Sequence, residues 1–136
     1  MRIKTVVLSV FLVLTLPYVV NAQESDEIFT IYLVRHAEKE LSADNPKDPP
    51  LTKCGEQRAE SLSTFFEAID LDVIYSTEYL RTKNTAQPVA QNKVKEVEYY
   101  DPQKLDDFAK LLIENGQDVL VVGLRNTTTV LAGLLV

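Results

Sequence analysis

Any imidazole chemistry in this chain passes through His36, the single histidine among 136 residues. It stands directly after Arg35, at the end of an apolar run. Two more polar clusters follow apolar runs in the same way: Ser76 with Arg81, and Arg125 with Asn126. A guanidinium presents a planar fork of donors suited to phosphate oxygens. A neutral imidazole near pH 7 is a good nucleophile toward phosphorus. If the first two clusters meet, two guanidiniums and one imidazole describe a phosphate site. A helix opening after Gly123 would add backbone N–H groups aimed at the same anion. Metal chemistry fits the composition poorly, because one His and one Cys cannot supply the ligands of a structural zinc site. Cys54 is the sole cysteine, which rules out an internal disulfide, and it is expected in the core. Ser76 reads as a cap or pocket-wall group rather than a nucleophile, and Glu38-Lys39-Glu40 as a solvated loop.

The elements that must position these groups alternate along the chain. Residues 28–34 are rich in β-branched and aromatic side chains and read as a strand, expected to be central. Asn45-Pro46 and Pro49-Pro50 mark a loop. From Leu51 the apolar set Leu51, Cys54, Leu62, Phe65, Phe66 and Ile69 recurs at helical spacing, predicting an amphipathic helix of about five turns. Residues 72–76 read as a second strand and 78–91 as a helix, with Pro88 a potential kink. Residues 94–99 fit a third strand. The following helix opens at Asp101-Pro102, buries Leu105, Phe108, Ala109 and Leu112, and stops at Asn115-Gly116. Residues 119–123 form a wholly apolar strand, and Asn126 is expected to cap a last helix running to Leu135. Asn126-Thr127-Thr128 also matches a glycosylation acceptor, but the cap is the better reading of this asparagine. The alternation predicts an α/β fold: a three-layer α/β/α sandwich around a mostly parallel sheet. Ligands in such sheets bind beyond the carboxyl ends of the strands, where all three polar clusters fall.

Composition narrows the function classes. With 46% hydrophobic and 25% charged residues, the chain is neither a collagen-like nor a low-complexity sequence. A formal charge of −6 gives no global attraction to nucleic acid, so no nucleic-acid partner is expected. Residues 1–22 have the pattern of a signal peptide: Arg2 and Lys4, then an apolar run from Val6 to Leu16, Pro17, and Val20-Asn21-Ala22 as a cleavage site. The run is shorter than the roughly 20 residues of a membrane-spanning helix. The expectation is a mature domain over residues 23–136, periplasmic or secreted, with no stable membrane insertion after cleavage.

At Leu33-Val34-Arg35-His36-Ala37-Glu38-Lys39 the chain resembles the histidine phosphatase superfamily, also called phosphoglycerate mutase-like, whose opening motif is a strand followed by Arg-His-Gly or Arg-His-Ala. Three more segments agree in order: Leu51-Thr52 with Gly55 and Ala59; residues 75–82 followed by Thr85-Ala86; and Val121-Val122-Gly123 followed by Asn126-Thr127-Thr128. The resemblance covers about residues 28–135. It implies a phosphoglycerate mutase-like fold and hydrolysis of a phosphoric monoester through a phosphohistidine at His36. Arg35 and Arg81 would hold the phosphoryl oxygens, with Ser76 and Asn126 as further phosphate-binding candidates. No metal or other cofactor would be needed, and the partner would be a small phosphorylated molecule or phosphate. A carboxylic acid would protonate the leaving group, and Asp101, Glu38 and Glu78 are the candidates.

Two departures qualify the resemblance. Leu124 occupies the position of the family's second catalytic histidine, and no other histidine replaces it. Loss of one preorganised donor would slow the reaction by about 10²–10³, so the chain could instead be an impaired pseudophosphatase or a phosphate-binding module. Arg125, one position on, is a cation that could replace the donor in part. The chain also stops inside an apolar helix where the family continues, so the C-terminal part of the domain is expected to be missing.

Overall fold

The computed structural model describes residues 28–136. The signal-peptide reading of residues 1–22 lies outside them. Four strands and four helices alternate: β1 (Ile31–Arg35), α1 (Lys53–Phe66), β2 (Val73–Ser76), α2 (Leu80–Lys93), β3 (Val97–Tyr99), α3 (Leu105–Asn115), β4 (Val119–Gly123) and α4 (Arg125–Leu134). All strand pairs are parallel, in the order β1-β4-β2-β3. Parallel neighbours need crossover connections, and the helices supply them.

The sheet is covered on both faces. Phe66, Ala86, Val89 and Ala90 of α1 and α2 pack with Ile74, Leu120 and Val122 on one side. Phe108, Ala109, Leu112 and Leu131 of α3 and α4 pack with Tyr75, Val119 and Val121 on the other. Successive strand residues therefore enter opposite cores, which is why β4 reads as an unbroken apolar run and is buried at all five positions. The three-layer expectation holds.

Several local expectations need correction. The first strand is not central: β1 is an edge of the four described strands and is only half-buried, having one neighbour. Helix α1 buries Gly55, Ala59, Ser63 and Phe66, whereas Cys54 is exposed and Phe65 is 64% exposed. Three of these four buried residues are small, because α1 lies tightly against the Glu38 backbone at Gly55 and against Pro88 of α2 at Ser63; Cys54 and Phe65 sit about a quarter-turn off the stripe, at 100° per residue. Pro88 lies inside α2 without ending it. Asn126 is not a cap. Leu124 takes the N-cap position with an extended backbone, α4 begins at Arg125, and Asn126 is exposed in the first turn. Gly116 ends α3 in the left-handed conformation, φ 56°, as its type suggests.

Candidate functional site

Three strands end together at one edge of the sheet. Ser76 of β2 pairs with Val122 of β4, and Arg35 of β1 with Gly123 of β4. One residue beyond β1, the His36 amide donates to the Gly123 carbonyl at 3.0 Å. Helices α1 and α4, which follow β1 and β4, cover opposite faces of the sheet. The crevice where crossovers part to opposite faces is where open parallel sheets bind ligands, and His36 directly follows β1 at that end of the sheet.

The loop after β1 is clamped from below. Thr52 caps α1 by accepting from the Gly55 amide at 3.0 Å, and its own amide donates to the Glu38 carbonyl at 2.8 Å. A methyl group on Gly55 would collide with that Glu38 carbonyl, so the close approach of α1 to the loop requires glycine here. The Ala37 amide donates to Thr85 Oγ1 of α2 at 2.9 Å.

His36 is half-buried. Its Nδ1 lies 2.7 Å from the Ala37 carbonyl oxygen. A carbonyl only accepts, so Nδ1 carries the proton and Nε2 keeps its lone pair. Burial pulls the His36 pKa below its ordinary 6.5; the carbonyl bond opposes this, and Arg81, Arg35 and Lys39 add to the lowering by charge repulsion. The ring is thus held neutral at neutral pH, in the tautomer that leaves Nε2 free to attack.

Arg81, in the first turn of α2, is the other organised group. Its side chain is 11% exposed and its Nη1 is buried. The nearest anion, Asp48 Oδ1, lies 3.6 Å from Nη1, beyond hydrogen-bond reach, while Asp48 Oδ1 accepts instead from the Leu80 amide at 2.8 Å. The guanidinium rests 4.5 Å from the centre of the Tyr79 ring. A buried guanidinium donor without a hydrogen-bond partner is costly, and an anionic oxygen would satisfy it. Arg35, by contrast, is exposed at the end of β1.

The remaining candidates fall in different places. Ser76 is fully buried and its hydroxyl donates to the Thr77 carbonyl at 2.8 Å. Asn126 and Arg125 are exposed in the first turn of α4. Leu124 is half-buried; its amide donates to Thr127 Oγ1 at 2.7 Å, and its side chain has no polar atom to offer. Glu38 is ion-paired with Arg58 at 2.6 Å. Glu78 and Asp101 both line a cleft of about 680 Å³ that also includes Asp48, Tyr79, Tyr99 and Tyr100. The cleft meets the site at two points. Asp48 and Tyr79 flank Arg81. The Tyr100 hydroxyl sits so close to Gly123 that a side chain there would lie 2.5 Å from it. Burial raises the Tyr100 pKa, so its hydroxyl stays protonated and can donate to Thr127 Oγ1 at 3.4 Å.

The structure brings Arg35 and Arg81 near enough to His36 for their charges to act on its ring, leaves Glu38 out of the cleft, and turns Ser76 inward. Residue-type reasoning missed Tyr100 and Asp48, and it placed Thr85 in a motif without a partner; a threonine within a helix or a tyrosine after a strand carries no signal of the group it meets.

Residues 31–108 match the family described as the histidine phosphatase superfamily (branch 1), which is more than half of the chain. The chain is 37% identical over 65 residues to the Probable phosphoglycerate mutase GpmB of Escherichia coli O1:K1; the alignment covers 45% of this chain and 30% of that protein. The fold is similar to that of the protein histidine phosphatase SixA complexed with tungstate, with a TM-score of 0.65 at 17% identity over 76% of this chain and 74% of that one. It is also similar to Phosphoserine Phosphatase from Entamoeba histolytica in complex with 3-phosphoglyceric acid, with a TM-score of 0.59 at 18% identity over 77% and 78% of the two chains.

Proposed function

This chain belongs to branch 1 of the histidine phosphatase superfamily, and on that basis we propose that it hydrolyses small phosphate monoesters through a phosphohistidine at His36. The observation that carries this reading is the pairing of a neutral His36 whose Nε2 is free with a buried, unpartnered Nη1 on Arg81. The first is a nucleophile and the second an anion receptor. Similar folds hold tungstate and a phosphoglycerate, both consistent with a phosphate-like occupant.

In the proposed reaction the Nε2 lone pair forms a bond to phosphorus while the bond to the ester oxygen breaks. The departing oxygen takes a proton from a carboxylic acid in the cleft, Glu78 or Asp101. Glu38 is the weaker candidate because Arg58 already holds its carboxylate. Arg35 and Arg81 neutralise charge on the non-bridging oxygens, a role that needs positioning and charge rather than bond chemistry from the protein. Water then attacks the phosphohistidine, gives its proton to the same carboxylate, and releases orthophosphate and neutral His36. Ser76 contributes by shaping the β2 terminus, since its hydroxyl is already bonded.

A second reading is motivated by Leu124. It adjoins Gly123, whose carbonyl holds the His36 amide, and it is apolar where the resemblance calls for a second histidine. On this reading the site binds phosphate or a phosphoester and turns it over slowly or not at all. Export to the periplasm or cell exterior belongs to the same proposal and rests on the pattern of residues 1–22.

The deciding experiment is hydrolysis of a generic phosphate ester by the wild type, His36→Ala and Leu124→His. Turnover that vanishes in His36→Ala supports the phosphatase. Phosphate binding in calorimetry without turnover supports the binding module, and neither activity nor binding removes both.

A further inference from the structure

The nucleophile's loop and the helix that carries Arg81 are joined through one side chain. Thr85 is 2% exposed and lies one turn after Arg81 in α2. Its hydroxyl donates to the Arg81 carbonyl at 2.7 Å and accepts from the Ala37 amide at 2.9 Å. The other end of Ala37 then completes a path: its carbonyl oxygen accepts from His36 Nδ1 at 2.7 Å. Three hydrogen bonds in series connect the Arg81 backbone, Thr85, Ala37 and the His36 ring.

We propose that Thr85 is a positioning residue that fixes both the placement and the tautomer of His36 relative to Arg81; this rests on the reading of His36 as the nucleophile. The hydroxyl is suited to the task because it donates and accepts at once. Its donated proton is committed to a carbonyl of its own helix, so its lone pair faces the loop. With the Ala37 amide held there, the following peptide plane is oriented and its carbonyl is aimed at the imidazole. The two bonds at Ala37 belong to successive peptide planes joined at Cα, so Thr85 acts on the imidazole by position rather than by polarisation. Loss of the Thr85 hydroxyl would strand a buried amide, rotate the Ala37 peptide, and free the ring to adopt the other tautomer. That tautomer places a proton on Nε2, where the attacking lone pair must be. No contact of Thr85 with a bound phosphate is involved.

The single histidine makes the test clean. The chain without a histidine tag, labelled with nitrogen-15, gives one imidazole signal, and its ring nitrogen shifts above the His36 pKa report the tautomer directly. The wild type should show the proton on Nδ1. Thr85→Val, which keeps the shape and removes the hydroxyl, should shift the proton substantially toward Nε2, and Thr85→Ser should restore the wild-type pattern. In the hydrolysis assay Thr85→Val should lower kcat about tenfold, with KM changed less than about twofold. An unchanged tautomer in a folded Thr85→Val chain overturns the proposal, as does failure of Thr85→Ser to restore it. If Thr85→Val does not fold, amide exchange in the wild type decides: a protected Ala37 amide is expected, and exchange at an open-loop rate overturns the role. The tautomer readout needs no turnover, so it separates this proposal from the phosphatase reading. A chain with the expected tautomer shift but no hydrolysis defeats only the latter.

Discussion

His36 is asked to be neutral, ordered and unprotonated on Nε2, and each requirement has its own source. Burial and three neighbouring cations keep it neutral, and the Ala37 carbonyl holds the tautomer. The sign of the shift sets a pH dependence. Protonation removes the attacking lone pair, so activity is lost as pH falls through the His36 pKa. Because that pKa is lowered, the acid limb of the kcat/KM profile should lie below 6.5, and a midpoint at or above 6.5 would contradict the placement of the ring. Arg81 gives a second residue-scale expectation. Arg81→Met should cost about 10²–10³ in kcat, and Arg81→Lys should recover little, because a point charge lacks the fork that reaches two oxygens. At the neighbouring position, Leu124→His should raise turnover by up to about 10²–10³ over the wild type; no gain would show that the missing donor is not what limits the site. Arg35, His36 and Arg81 stood out in the chain because Arg35-His36 closes an apolar strand and Arg81 follows the next one within a segment that matches the resemblance in order. Thr85 was visible as part of a motif but its task was not, since its hydroxyl bonds its own helix as any helical threonine does, and only the fold brings Ala37 to it.

At the scale of elements, placement of the nucleophile depends on how closely α1 approaches the loop after β1. Gly55 is the point of contact, and Gly55→Ala would force the Glu38 carbonyl and α1 apart. Overpacking of this kind typically costs about 1–3 kcal/mol, so the variant should melt several degrees lower and lose activity; an unchanged melt would mean that the loop gives way freely. Element order and type were readable because the strands are short β-branched runs and the helices carry amphipathic spacing. The facing of α1 was not. Cys54 and Phe65 look like core residues by hydrophobicity, yet the inward face of α1 is chosen by size, with Gly55 meeting the Glu38 backbone and Ser63 meeting Pro88 of α2. The start of α4 also escaped the pattern. Asn126 is the better cap by type, but Thr127 closes the turn instead by accepting from the Leu124 amide and donating to the Leu124 carbonyl at 3.0 Å.

In the whole molecule the parallel order β1-β4-β2-β3 gathers the ends of β1, β2 and β4, so residues far apart in sequence share one edge. Arg35 comes to lie beside Gly123, one residue before the α4 N-cap, for that reason. The cleft beside them, bounded by Glu78 and Asp101, follows from the loops after β2 and β3. No composition or periodicity announces such a space, which is why the proton donor could not be chosen from the chain. Export is a property of the intact polypeptide, and the expected outcome in a secreting bacterial host is a mature N-terminus at Gln23. Terminal sequencing that finds Met1 retained would remove that part of the proposal. The claim that unites the fold with its chemistry is covalent capture of phosphate by His36. It is tested most directly by brief incubation with a phosphorus-32-labelled phosphate ester, rapid denaturation at alkaline pH, and peptide mapping. The expected result is a label on the peptide containing His36, stable to alkali, released by acid and absent from His36→Ala. A chain that hydrolyses the ester but keeps its label in His36→Ala, or carries an acid-stable label on a hydroxyl side chain, would contradict it.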